Sequence, residues 1–340
     1  MRRSAALILL TPFLGAFATP SIPAQLYSPL IPEKVLATYN ALPKPIGYPQ
    51  YTTTTGTWLY FSPDTWTSGF FPATLYALNS RVAVCPATPL NALALADWLT
   101  LGRSASTGLI PLEGGNNQGH DQGFLSFPFV EELEVNANNG TAQKAIKAFS
   151  KILAGRFNPV VGCTRSWDAA DPTDFMVIID NMMNLDLLLN AADLTGNTTL
   201  RTIAMTHADT TMKNHIRSTW HVVEYNSTTG VVIRKRTAQG FADNSTWSRG
   251  QAWGIYGFAN MYKRTNKADY LVTARRLAKY FLDNIPADGI VPWDFNAPLN
   301  PAPRPADSSA ATIASMGLLL LAQVETDPDN AIFYTDSAIN

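Results

Sequence analysis

The chain has only two cysteines, Cys85 and Cys163, and four histidines in 340 residues. Two isolated thiols cannot build a disulfide framework, and neither they nor the scattered histidines show the spacing of a metal centre. Whether the two thiols pair stays open, because pairing depends on how close the fold brings their Cα atoms. Charge is also scarce: 15% of residues are charged, and 25 basic against 26 acidic residues leave a formal net charge of −1. The clustered basic surface that binds nucleic acid or an anionic membrane is therefore missing, and neither is expected as a partner.

Apolar and aromatic residues are plentiful. At 46% hydrophobic and 11% aromatic, with eight Trp and twelve Tyr, the chain can bury a large core in one large domain or two ordinary ones. Such an aromatic content also suits a sugar-binding cleft. Residues 1–18 have a basic start, a short apolar stretch broken by Pro12 and an Ala16-Phe-Ala18 ending. They read as a secretory signal peptide, too short and interrupted for a membrane anchor. Four Asn-x-Thr sequons, at Asn139, Asn197, Asn226 and Asn244, agree with export and glycosylation and predict a secreted protein.

Residues 19–65, rich in Pro and Thr, read as a lead-in with one helix near 33–42. From Trp66 onward helical periodicity dominates, over 70–78, 90–101, 141–154, 182–194, 200–216, 249–263, 269–284 and 309–324. Only 220–236 alternates like a β-hairpin. Helix end, Thr-rich polar turn and new helix recur near residues 195, 265 and 326, and more weakly near 139, at a period of about 60 to 70 residues. Repeated helical hairpins with long connecting loops predict an all-α ring, an (α/α)-barrel with the β-hairpin inserted, occupying 66–340. An α-solenoid is the structural rival, but its repeats are shorter.

One carboxylate stands out. Asp180 interrupts the apolar run from Phe175 to Leu189, where a charge is costly. It is a candidate general acid, with an N-cap for the following helix as the plain alternative. Polar and aromatic clusters precede other expected inner helices, at Trp66, at His120-Asp121, at Gln239 to Trp253 and at Trp293 to Ser309. A ring would gather them at one rim. Asp121 and Asp180 would then face a cleft lined by Trp66, Trp247 and Trp253, the equipment of glycoside chemistry. Arg249 offers a fork of donors to an acidic sugar, or pairs with Asp243 or another structural acid.

Trp66-Thr-Ser-Gly-Phe70, His120-Asp-Gln-Gly-Phe124, Ile179-Asp-Asn-Met-Met-Asn184, Trp220-His-Val-Val223 and Trp247-Ser-Arg-Gly-Gln-Ala-Trp-Gly254 occur in that order. Together they resemble the unsaturated glucuronyl hydrolases of glycoside hydrolase family 88, over about 66–324. The resemblance implies an (α/α)6 barrel without metal or organic cofactor. It implies that the substrate is a lyase-generated oligosaccharide ending in a 4,5-unsaturated uronic acid, and that the enzyme hydrates the vinyl ether. Asp180 would protonate C4 and assist water at C5, and Asp121 would orient the substrate and tune Asp180. His120, His221, Gln239, Arg249, Trp66 and Trp253 match binding positions, Trp253 as the platform under the unsaturated ring. Asn181 matches as motif context alone.

Two departures from the family pattern follow. The chain stops at Asn340, where the family continues, so the ring is expected to be incompletely covered. A glycan on Asn244, inside the site motif, would crowd the cleft, so that sequon is expected to stay unmodified. An unsaturated rhamnogalacturonyl hydrolase and a catalytically silent carbohydrate-binding protein are the competing readings.

Overall fold

A computed structural model describes residues 23–84, 93–216, 218–300 and 305–340. The expected signal peptide and Cys85 lie outside the described residues. Among those described, ten helices form five consecutive hairpins: α2 (Phe70–Val84) with α3 (Trp98–Ser106), α4 (Gln122–Val135) with α5 (Gly140–Ala154), α6 (Asn181–Thr195) with α7 (Thr198–Asn214), α8 (Ser248–Thr265) with α9 (Ala268–Asn284), and α10 (Ser308–Val324) with α11 (Pro328–Ile339). The first helix of each hairpin packs on the first helix of the next, so α2, α4, α6, α8 and α10 line the inside. The lead-in helix α1 (Leu30–Asn40) packs Val35, Leu36 and Tyr39 against Leu75 and Trp98.

Inner and outer helices differ in the residues they bury. Inner α6 buries Met182, Met183, Leu185, Leu187, Leu188 and Leu189, side chains on every face, as a helix enclosed on all sides must. Outer α5 buries one stripe, Ala142, Ala145, Ile146, Phe149 and Leu153, and turns its lysines outward. Each Leu or Phe so enclosed contributes about 1.5–3 kcal/mol relative to exposure. The recurring polar turns are helix boundaries. Gly196 ends α6 at φ +71° and Asn197 caps α7 on Thr199 N; Asn139 caps α5, and Asp327 caps α11 ahead of Pro328. The helix expected over 90–101 instead starts at Trp98, because Asp97 accepts the Thr100 N–H at 3.0 Å. Residues 90–92 of that expectation lie outside the described residues.

The β content exceeds the expected hairpin. β1 (Tyr48–Thr52) and β2 (Trp58–Phe61) pair in the lead-in, and β3 (Phe157–Asn158) pairs with β4 (Cys163–Thr164). β5 (Asp174–Ile178) joins β6 (Val222–Asn226) and β7 (Val232–Arg236) in an antiparallel sheet. The apolar run around Asp180 thus contains two periods. Phe175 and Val177 alternate inward against Val161, Cys163 and Tyr225, and only beyond Asp180 does the run become helical. Cys163 is a buried free thiol. No helix among the described residues is long and apolar enough to cross a membrane.

Candidate active site

The sheet delivers the first pair of site residues. β5 and β6 run in register from Asp174↔Asn226 to Ile178↔Val222, and one further bond, Ile179 N–H to His221 O at 3.0 Å, extends the pairing. Asp180 and His221 therefore emerge side by side, with His221 Nε2 3.9 Å from Asp180 Oδ2. The His221 Nδ1 accepts the backbone N–H groups of Ala238 and Gln239 at 3.2 and 3.3 Å, so the proton of the neutral ring sits on Nε2, toward Asp180. Burial, first, and the neighbouring Arg236 and Arg249 depress the His221 pKa to about 3, which keeps the ring neutral.

Asp180 and Asp121 occupy N-cap positions of α6 and α4, yet neither carboxylate accepts a capping hydrogen bond. Their side chains are recessed, 13% and 17% exposed. Desolvation raises Asp180 to about 6, with His120 and Arg249 opposing and Asp121 reinforcing the shift. Desolvation raises Asp121 to about 8 against the lowering effects of Asn184 and Arg156. Two recessed carboxyl groups facing one space thus hold a proton near neutrality. His120 is 1% exposed, and its Nδ1–H can only donate to the Ser166 carbonyl, 3.1 Å away. Its Nε2 lone pair then faces Asp121 Oδ1 at 3.1 Å, and burial depresses the ring to about 4. A proton on Asp121 relieves two lone pairs that would otherwise oppose each other.

The cationic wall comes from the start of α8. Trp247 stacks between the His221 ring, 4.4 Å between centroids, and the Arg249 guanidinium, 4.6 Å from the ring centre. Trp247 is 3% exposed, so this indole fixes the distance between its neighbours and contributes little open surface. Arg249 reaches Asp307 and Gln239 at 3.4 Å each and Ser309 Oγ at 3.1 Å. Its acid partner is Asp307, whereas Asp243 accepts the Thr237 N–H. Gln239 itself is exposed.

Trp66 is half-buried, its ring 5.6 Å from Phe124, and Trp253 lies 5.2 Å from the other side of that cluster. Trp253, expected as an open platform, exposes 3% of its surface, and its indole N–H is unpartnered. Beside the cluster the inner helices line an open pocket of about 380 Å³, with Phe127, Met183, Tyr256 and Ile313 among its walls. Asn181 is an anchor: its amide donates to Thr164 O and Oγ1 at 3.0 and 2.9 Å and ties strand β4 to α6. Asn184 was not singled out by sequence, although it closes the motif that begins at Ile179.

Among the described residues, five of the fifteen buried polar side-chain atoms without hydrogen-bond partners belong to these residues: Asp180 Oδ2, His120 Nε2, His221 Nε2, Arg249 Nε and Trp253 Nε1. Buried polar groups are ordinarily satisfied, so these five atoms are open to bonding by a polar ligand.

No protein-family model matches the chain. It is 39% identical over 264 residues to an unsaturated glucuronyl hydrolase of Formosa agariphila, covering 75% of this chain and 62% of the relative. It is 38% identical over 221 residues to the unsaturated glucuronyl hydrolase of Bacillus sp. GL1, covering 63% of this chain and 58% of the relative. The chain thus spans about three-fifths of the length of these curated relatives. Among solved structures, an unsaturated glucuronyl hydrolase specific for heparin superposes with a TM-score of 0.80 at 29% identity, over 93% of this chain and 83% of that one. The chain is a homologue of the unsaturated glucuronyl hydrolases and folds as an (α/α) barrel like theirs.

Proposed function

We propose that the protein removes a 4,5-unsaturated uronic acid from the non-reducing end of lyase-generated oligosaccharides by hydrating its vinyl ether. One observation carries the reading: unpartnered donors and acceptors converge on two carboxyl groups whose burial keeps a proton available near neutrality. Protonated Asp180 donates to C4, and positive charge develops at C5 and the ring oxygen. Water adds to C5 while the Asp180 carboxylate takes up its proton, so the residue ends as it began. The C5 hemiketal opens and the C1 hemiacetal then releases the remaining sugar.

The surroundings suit these steps. An oxygen about 2.8 Å from both Asp180 Oδ2 and His221 Nε2 fits at the apex of their 3.9 Å separation, a place for the attacking water. Arg249 has an unpartnered Nε and long contacts to Asp307 and Gln239, leaving donors for the uronate carboxylate. The homologues named for this activity support the substrate class, and heparin specificity belongs to the one relative so described.

Export and glycosylation belong to the same proposal. Asn197 and Asn244 are exposed and Asn226 is half-buried, whereas Asn139 donates its amide to Glu132 at 2.8 Å while capping α5 and is committed to the fold. Asn244 lines a polar pocket with Ser218, Trp220 and Tyr280. The test of activity is incubation with unsaturated uronyl disaccharides while the ultraviolet absorbance of the conjugated double bond is followed. Absorbance is expected to fall as sugar appears. Constant absorbance with every disaccharide offered to the folded protein would sink the reading.

A further inference from the structure

Asn184 is fully buried, one helical turn beyond Asp180 on α6 and on the same face. Its Oδ1 accepts the N–H groups of Gly123 at 2.8 Å and Phe124 at 3.1 Å. These first-turn donors of α4 are the groups an N-cap residue ordinarily satisfies, and the N-cap residue of α4 is Asp121. Asn184 thus caps the neighbouring helix from outside. Its Nδ2 also lies 3.5 Å from the Asp180 carbonyl oxygen, at the start of its own helix.

The packing is built around this contact. A Cβ on Gly123 would fall 2.6 Å from Asn184 Cα and 2.7 Å from its Oδ1, so α4 can approach Asn184 only through a glycine. We propose that Asn184 is a positioning residue: by capping α4 across the helix interface, it frees the Asp121 carboxylate from capping and holds it toward Asp180. The assignment rests on the hydrolase reading for its catalytic meaning, but not for its geometry.

Asp121 is faced by His120 from its own segment, by Asn184 and Asp180 from α6, and by Arg156 from the turn after α5. In Asn184→Ala the two N–H groups lose their acceptor and the Asp121 carboxylate turns to cap α4. Accepting two backbone N–H groups favours its ionised form by more than the loss of the Asn184 side-chain hydrogen bond disfavours it, so its titration midpoint falls. Asn184→Asp keeps the acceptor and adds a negative charge, so the midpoint rises. An asparagine that does not keep Asp121 off the cap gives no fall in Asn184→Ala.

The experiment is a carbon-13 NMR titration of the Asp121 carboxyl, assigned by its loss in Asp121→Asn, in the parent and both variants, alongside kcat and KM on an unsaturated disaccharide. Opposite midpoint shifts are expected. In Asn184→Ala kcat should fall by about tenfold or more while KM changes by less than about threefold. Unchanged midpoints in the folded variants overturn the proposal, and so does a shifted midpoint with an unaltered kcat. If Asn184→Ala fails to fold, an unchanged midpoint in Asn184→Asp alone overturns it. A parent that titrates as expected but turns nothing over would sink the hydrolase reading and leave the Asn184 contact standing.

Discussion

Asp180→Asn is expected to lower kcat by about a thousandfold or more and leave KM within a few-fold of the parent. The amide keeps the size and hydrogen-bonding reach of the side chain but cannot give a proton to carbon or take one from water. The fold should not suffer. The Asp180 carboxylate makes no capping hydrogen bond, and its Oδ2 is buried without a partner, so the substitution removes a desolvated acid and breaks no capping bond at the helix start. Thermal unfolding should therefore occur at the parent temperature or above it, as for many site carboxylates whose position serves chemistry at the expense of stability. Parent-like turnover in this variant would remove Asp180 from the mechanism. Loss of turnover with loss of fold would mean that its role is structural.

Gly123→Ala is expected to be strongly destabilising for a single added methyl. The new Cβ would meet backbone and side chain of Asn184 together, at 2.6 Å from Cα and 3.1 Å from Cβ, and neither is the free end of a flexible chain. α4 must move off α6, which strains the packing and stretches the Gly123 and Phe124 bonds to Asn184, at a combined cost of about 3 kcal/mol. Gly140→Ala is the control, at the first position of outer helix α5 with open space around its Cβ. It should be neutral or stabilising by up to about 1 kcal/mol. Urea unfolding of the two variants measures the difference. Equal stabilities would mean that α4 and α6 are not held in contact through this glycine.

How much of this was legible beforehand depended on whether the signal was local. The helical hairpins were readable because amphipathic stripes such as Ala142 to Leu153 and turn signals such as Gly196-Asn197 are written within one segment. Strand β5 was not, because its apolar run continues without a break into α6, and the change from alternating to helical burial at Asp180 depends on pairing with β6, more than forty residues on. The site residues were found through motifs, but their arrangement was not. Trp247 was expected to line the cleft and instead separates His221 from Arg249. Arg249 pairs with Asp307, beyond the reach of local spacing. Asn184 escaped notice because its partners, Gly123 and Phe124, lie about sixty positions earlier. Capping and catalysis were set against each other at Asp180, and the structure gives it, like Asp121, the cap position without the capping bond.

The most direct test of the central claim, that the protein adds water across a carbon–carbon double bond, is to run the reaction in deuterium oxide and examine the released uronate by NMR and mass spectrometry. Protonation by Asp180, exchanged with solvent, puts one deuterium on C4 and removes the vinylic signal. Addition at C5 followed by ring opening leaves a C5 ketone. Ordinary cleavage at the anomeric carbon would release a uronate that still carries its double bond and its original hydrogen at C4, and that product would contradict the account.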